Sequence, residues 1–142
     1  MDKYMLQLFI LSTLILQITT ISGKKPICFL SRRIRIYAVN QLPPNSPALL
    51  LRCQSGNHDL GYQTLYYPGQ EFTFNFCINF RTLFFCHFWW SGKDLSFEVF
   101  NNLGEHRRRC DDNNLCYYEV RSDGIYFSKE RPPKELKMLY GW

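Results

Sequence analysis

Hydrophobic and polar positions alternate with a period of two in a series of short runs along this 142-residue chain. In RRIRIYAVN, from Arg32, Ile34, Ile36 and Ala38 fall on one side and Arg33 and Arg35 on the other, which predicts a half-exposed strand. ALLLRC (Ala48–Cys53) puts Leu49, Leu51 and Cys53 on one face, and QEFTFNFC (Gln70–Cys77) turns Phe72, Phe74 and Phe76 inward with Thr73 and Asn75 outward. The densest stretch is TLFFCHFWW, Thr82 to Trp90. Extended, it spans roughly 30 Å. Thr82, Phe84, Cys86, Phe88 and Trp90 point one way, and Leu83, Phe85, His87 and Trp89 the other, with His87 as the one interruption. Neighbouring bulky rings crowd a helix and suit a pleated surface, so this run is expected to be a central strand covered on both faces. LSFEVF (Leu95–Phe100) places Leu95, Phe97 and Val99 together, and Tyr62–Tyr67, LCYYEVR (Leu115–Arg121) and Ile125–Ser128 complete the set.

Between these runs lie turn signals. QLPPNSP carries three prolines, QSGNHDLG is a polar loop closed by Gly61, Pro68–Gly69 and Ser91–Asp94 are turns, and Asp123–Gly124 is the dipeptide favoured at the centre of a two-residue hairpin. The longest polar segment is NNLGEHRRRCDDNN, Asn101 to Asn114. After about Lys129 the tail KERPPKELKMLYGW shows adjacent prolines and no period, which predicts a loose end. About eight short strands without a convincing helix predict an all-β chain folded as a small sandwich of antiparallel strands. No repeat or linker divides residues 24–142, which read as one domain.

The first residues change the picture of where this domain works. Met1 to about Gly23 has a short charged start, an apolar run and then small polar residues, the order of a secretory signal peptide removed from the product. Its apolar core is shorter than a bilayer span, so stable membrane insertion is not expected. All six cysteines lie beyond it, at Cys28, Cys53, Cys77, Cys86, Cys110 and Cys116, and an even number in a secreted chain predicts disulfides. Their spacing alone leaves the connectivity open. The absence of a Cys-x-x-Cys pair argues against zinc, and no metal or other cofactor is expected. The formal charge of +5 points toward an anionic surface, such as wall polysaccharide, lipid headgroups or an acidic receptor patch, and concentrates at Lys24–Lys25, Arg32/Arg33/Arg35 and Arg107–Arg109.

Little in the chain supports catalysis. His58, His87 and His106 with Asp59, Asp111 and Asp112 are the candidates, but His58 and Asp59 are sequence neighbours rather than a convergent pair, and no Gly-x-Ser-x-Gly elbow exists. His87 is expected between sheets or at a sheet edge, satisfied by a hydrogen bond. Asp59 reads as structural, its carboxylate accepting backbone N–H bonds in the turn before Gly61. Nucleic-acid binding needs exposed rings beside the charges. Here the rings fall on faces predicted to be buried, so no nucleic-acid partner is expected. A cationic defence protein acting on anionic membranes or walls is the stronger rival, although an amphipathic cationic helix is lacking.

Four blocks in order carry a likeness: CQSGNHDLG (Cys53–Gly61), PGQEFTFNF (Pro68–Phe76), TLFFCHFWW (Thr82–Trp90) and, after a spaced cysteine pair, CYYEVRSDGIY (Cys116–Tyr126). From about Ile34 to Phe127 the chain resembles the plant self-incompatibility S-protein homologue family. The resemblance implies a small secreted β-sandwich with two disulfides, whose namesake members are stigma-secreted ligands recognised by a receptor on incompatible pollen. Cys53, Cys86, Cys110 and Cys116 match the family's four cysteines. Cys28 and Cys77 do not, and parity alone suggests an extra bridge between them. Phe74 and Tyr118 stand where the family usually has Trp.

The expected function is therefore that of a secreted, non-enzymatic recognition protein, a monomer that binds a cell-surface receptor through strand-connecting loops. Loops on a rigid sandwich are where recognition concentrates. The Asn101–Asn114 loop is the leading contact surface, with Glu105, Arg107, Arg108 and Arg109 as charged contacts and Cys110 anchoring one end.

Overall fold

A computed structural model describes residues 2–20, 27–103, 109–110 and 113–142. Helix α1 (Lys3–Thr20) precedes nine strands: β1 (Arg33–Asn40), β2 (Leu49–Gln54), β3 (Asp59–Leu65), β4 (Glu71–Cys77), β5 (Leu83–Trp90), β6 (Lys93–Asn101), β7 (Leu115–Arg121), β8 (Gly124–Ser128) and β9 (Lys137–Gly141). The side chains of α1 as far as Thr13 are exposed and take no part in the core. The strands form a five-stranded sheet, in the order β4-β1-β7-β8-β9, and a four-stranded sheet, β3-β2-β5-β6.

The alternating patterns set which faces meet. Ile34, Ile36 and Ala38 on β1, Leu49, Leu51 and Cys53 on β2, and Phe84, Cys86 and Phe88 on β5 are buried in one core between the sheets. Burying these apolar faces against each other is the main driving force of the fold. Rings dominate the packing: Phe76 stacks on Phe84 with centroids 4.3 Å apart, and Phe88 on Phe97 at 5.6 Å. Three disulfides, Cys28–Cys77, Cys53–Cys86 and Cys110–Cys116, leave no free cysteine.

Several sequence expectations are corrected by the structure. The pairing is not wholly antiparallel: β1 runs parallel to β7, Arg35 opposite Leu115, because both strands leave the same end of the sandwich. Beyond Lys129 the tail is not a loose end but supplies β9, which hydrogen-bonds to β8 and carries Tyr140 against Phe97. The central strand β5 is covered on one face only. Phe85, His87 and Trp89 lie half-buried on the outer face of the four-stranded sheet, so His87 is neither between sheets nor at an edge. Asp59 and Gly61 belong to β3 at a register shift rather than to a loop. In the β7–β8 hairpin the turn is Ser122–Asp123, while Gly124 opens β8. Glycine is required there because the Tyr140 carbonyl of β9 lies against its Cα, where any Cβ would collide.

Strand directions sort the connections into two groups. At one end gather the segment entering β1 and the β2–β3, β4–β5, β6–β7 and β8–β9 connections. The other end carries β1–β2, β3–β4, β5–β6, β7–β8 and Trp142.

Candidate functional site

The end that holds the long β6–β7 connection is built as a continuous surface, because its loops bond to one another. The Asn102 backbone N–H donates to the Thr82 carbonyl at 3.0 Å and its side-chain amide to the Asn79 carbonyl at 2.7 Å, tying β6–β7 to β4–β5. Ile78 N–H donates to the Arg32 carbonyl at 3.0 Å, and Cys28–Cys77 fixes the incoming segment to the end of β4. Arg32 Nη1 donates to Asn114 Oδ1 at 3.1 Å, and the Asn113 amide to the Lys129 carbonyl at 3.3 Å. These bonds fix loop backbone that would otherwise remain mobile.

On this frame sit large apolar side chains in solvent. Phe29 is 86% exposed, Leu30 93%, Phe80 69% and Leu103 72%. The Arg81 guanidinium stacks over the Phe80 ring at 5.2 Å, giving the surface a cation beside its apolar groups. Next to them the edges of β3 and β4 part to form a cleft of about 750 Å³, floored by Phe74, Phe76 and Phe84 and rimmed by His58, Asn57 and Arg81. Sequence periodicity did not flag these exposed residues. The available signal was an isolated apolar side chain inside a polar, turn-forming stretch, as Phe80 is in INFRT and Leu103 in NNLGE.

Of the charged contacts expected in Asn101–Asn114, Glu105, Arg107 and Arg108 lie outside the described residues, as do His106, Asp111 and Asp112. Arg109 is described, and it is turned inward. It is half-buried, its guanidinium lies 5.6 Å from the Phe127 ring centre, and Nη1 donates to the Glu98 carbonyl at 3.4 Å. Burial works against its charge, but the Tyr118 and Tyr140 hydroxyls outweigh it and leave the pKa above the ordinary arginine value. Cys110, bonded to Cys116, is buried next to it.

Tyr118 is fully buried and donates its hydroxyl to the Val99 carbonyl at 2.6 Å, a bond from β7 to β6 across the two sheets. Burial pushes its pKa up to about 12. Asp59 forms a two-point ion pair with Arg52, and its Oδ1 also accepts the Gly61 N–H at 2.9 Å. The hydrogen bonds from Arg52 first, and from Gly61 second, hold the Asp59 pKa down to about 2. His58, its sequence neighbour, is not brought into this pair, and the His87 Nε2–H donates to Asp94 Oδ2 at 2.8 Å instead of meeting either. Among the described residues no group of His, Cys, Asp and Glu side chains is arranged to hold a metal ion. No helix among them is long and apolar enough to cross a membrane.

Comparison with known proteins agrees with this architecture. A family model described as plant self-incompatibility protein S1 matches residues 35–142. The chain is 33% identical over 115 residues to S-protein homolog 2 of Arabidopsis thaliana, covering 76% of this chain and 68% of that protein. It is 38% identical over 95 residues to S-protein homolog 3 of the same plant, covering 66% of this chain and 63% of that protein. Its fold matches, with a TM-score of 0.54 at 21% identity, a solved structure described as that of SPH (self-incompatibility protein homologue) proteins, small, highly stable, secreted proteins from plants. That match covers 80% of this chain and 96% of the other. The match to the family model over most of the sandwich, and the Arabidopsis relatives at a third identity or more, place this chain in the plant self-incompatibility protein S1 family.

Proposed function

We propose that this protein is a secreted plant recognition ligand, released from a signal segment ending near residue 23, that binds a cell-surface receptor without catalysing a reaction. Its contact surface is the loop-rich end of the sandwich, including Asn101–Asn114 with Glu105, Arg107 and Arg108. The observation that carries this reading is the exposure of Phe29, Leu30, Phe80 and Leu103 on loops held in place by hydrogen bonds and a disulfide. Apolar side chains ordered in solvent beside cations suit a protein interface, whose centre is apolar and whose rim is charged. Arg109 contributes from behind, by anchoring the loop to the core.

The test is a pull-down of plant receptor ectodomains with the refolded mature protein, followed by affinity measurement for the captured partner. Phe80→Ser with Leu103→Ser should weaken binding about tenfold or more without lowering thermal stability. Arg107→Gln with Arg108→Gln should weaken it most at low salt. Unchanged affinity in both variants would remove this end from the interface. Leakage of anionic liposomes at low micromolar protein, with no saturable cell binding, would instead indicate a defence protein.

A further inference from the structure

The outer face of the four-stranded sheet carries a connected strip of rings and charges that the loop-based reading does not use. It begins at Asp59, paired with Arg52. The Arg52 guanidinium lies over the Tyr62 ring at 5.0 Å, and its Nη1 donates to the Tyr62 hydroxyl at 3.4 Å. Tyr62 leans on Trp89 with ring centres 5.9 Å apart. Trp89 stacks on His87 at 3.8 Å and 12°, and His87 is held by Asp94. The strip crosses all four strands of the sheet: Tyr62 on β3 is opposite Arg52 on β2, Arg52 is opposite His87 on β5, and Trp89, two residues along β5, is opposite Asp94 on β6. Exposed ion pairs of this kind contribute little to folding. Their effect here is to fix the orientation of two partly exposed rings.

Three properties of the strip define what it fits. First, Trp89 borders an open groove of about 560 Å³, lined also by Ala48 and Leu50, by Trp90 and the Ser91–Gly92 turn, and by Lys93 and Asp94. Second, the indole N–H groups of Trp90 and Trp142 donate to the Pro47 and Arg121 carbonyls, at 3.1 and 2.8 Å. That of Trp89 has no partner among the described residues. Third, the charges balance along the strip: Arg52 pairs with Asp59, and the groove is lined by one cation, Lys93, which lies over the Trp90 ring at 5.5 Å, and one anion, Asp94. A flat apolar ring face, a free donor and a locally neutral charge balance complement a ligand with an apolar C–H face, many hydroxyls and no net charge. A strongly anionic ligand would meet the Asp94 carboxylate at the groove wall.

We propose that this face binds a neutral pyranose saccharide, one sugar ring stacked on Trp89 in the groove and the next against Tyr62, which is 61% exposed. The Trp89 N–H donates to a sugar hydroxyl, and Ser91 offers a hydroxyl at the groove wall. His87, which does not line the groove, is a positioning residue that holds the Trp89 ring, while Asp94 holds His87 and, from the groove wall, accepts from a sugar hydroxyl.

Titration of the full sandwich domain with cellohexaose, and separately with a galacturonate hexamer, tests this by nuclear magnetic resonance of the indole N–H signals. The expected result is saturable binding of cellohexaose that shifts the Trp89 indole signal far more than those of Trp90 and Trp142. Trp89→Ala should weaken it about tenfold or more, with Tyr62→Ala as an independent variant on an exposed position. His87→Ala should weaken it less and broaden the Trp89 signal, a change that loss of stability alone would not confine to one indole. Binding of neither oligomer overturns the proposal. So does binding that survives both Trp89→Ala and Tyr62→Ala. Binding of the galacturonate hexamer alone, abolished by Lys93→Gln, would overturn the neutral assignment and make Lys93 the selecting group.

Discussion

Replacement of Tyr118 by Phe tests how the two sheets are joined. The Tyr118 ring packs 5.4 Å from Phe97 and 5.3 Å from Phe127, and Phe preserves both contacts. Only the hydroxyl is lost, and with it the 2.6 Å bond to the Val99 carbonyl and a polar neighbour of Arg109. Leaving a buried carbonyl without its partner costs about 1–3 kcal/mol. In a domain of this size that lowers Tm by roughly 3–10 °C. The same hydroxyl makes a second, independent mark. Its folded pKa is raised from 10.0 to about 12, so the unfolded chain ionises first as pH rises. The stability it contributes is complete below about pH 10 and is lost between about pH 10 and 12, at about 1.4 kcal/mol per pH unit. Guanidinium unfolding followed by tryptophan fluorescence from pH 7 to 12 should therefore show the native protein ahead at neutral pH and the two curves converging in alkali. Tyr117, whose pKa is also raised by burial and by Glu119, keeps an alkaline decline in both proteins. Equal stability at pH 7, or curves that stay parallel above pH 10, would refute the reasoning.

Three further outcomes are expected. Cys28→Ser with Cys77→Ser opens a link across 49 residues and should cost about 4 kcal/mol in urea unfolding, with the far-ultraviolet spectrum unchanged. Asp59→Asn should flatten the acid limb of stability: the folded carboxyl sits near 2 against 3.8 for the free group, so its contribution holds above about pH 4 and fades toward pH 2. Acid titration of unfolding in the two proteins compares these slopes directly. Gly124→Ala drives a Cβ into the Tyr140 carbonyl and should cost roughly 2 kcal/mol or more, with hydrogen exchange accelerating first at Lys137–Gly141.

One-sided burial is what made much of the sandwich readable from its sequence. Ile34/Ile36/Ala38 and Leu49/Leu51/Cys53 alternate because one face meets the core and the other meets water, and a period of two records that directly. Where the environment depends on distant chain, the period says nothing. Phe100 is buried although it follows inward-facing Val99, because the β5–β6 register shifts between Phe84 and Phe85. KMLYG is too short and mixed to announce a strand, and it becomes one only by pairing with β8. The basic triplet at Arg107–Arg109 looked uniformly exposed, yet the Tyr118 and Tyr140 hydroxyls and the Phe127 ring draw Arg109 inward. TLFFCHFWW was dense enough with rings to suggest cover on both sides, but its outward side chains instead stack on one another along the strand, as His87 does on Trp89.

The position of β1 has a consequence for how the chain assembles and how it comes apart. Its first strand lies in the interior of the five-stranded sheet, and its parallel neighbour β7 arrives about eighty residues later. Long-range parallel pairing of this kind is slow to form. The bridges Cys28–Cys77 and Cys53–Cys86 join cysteines that all precede β7, so both can hold a half-built sandwich while the remaining strands are added. Once β7 is seated, withdrawing β1 means breaking two ladders of hydrogen bonds at once, with β4 and with β7. The sandwich therefore resists unravelling from its first strand.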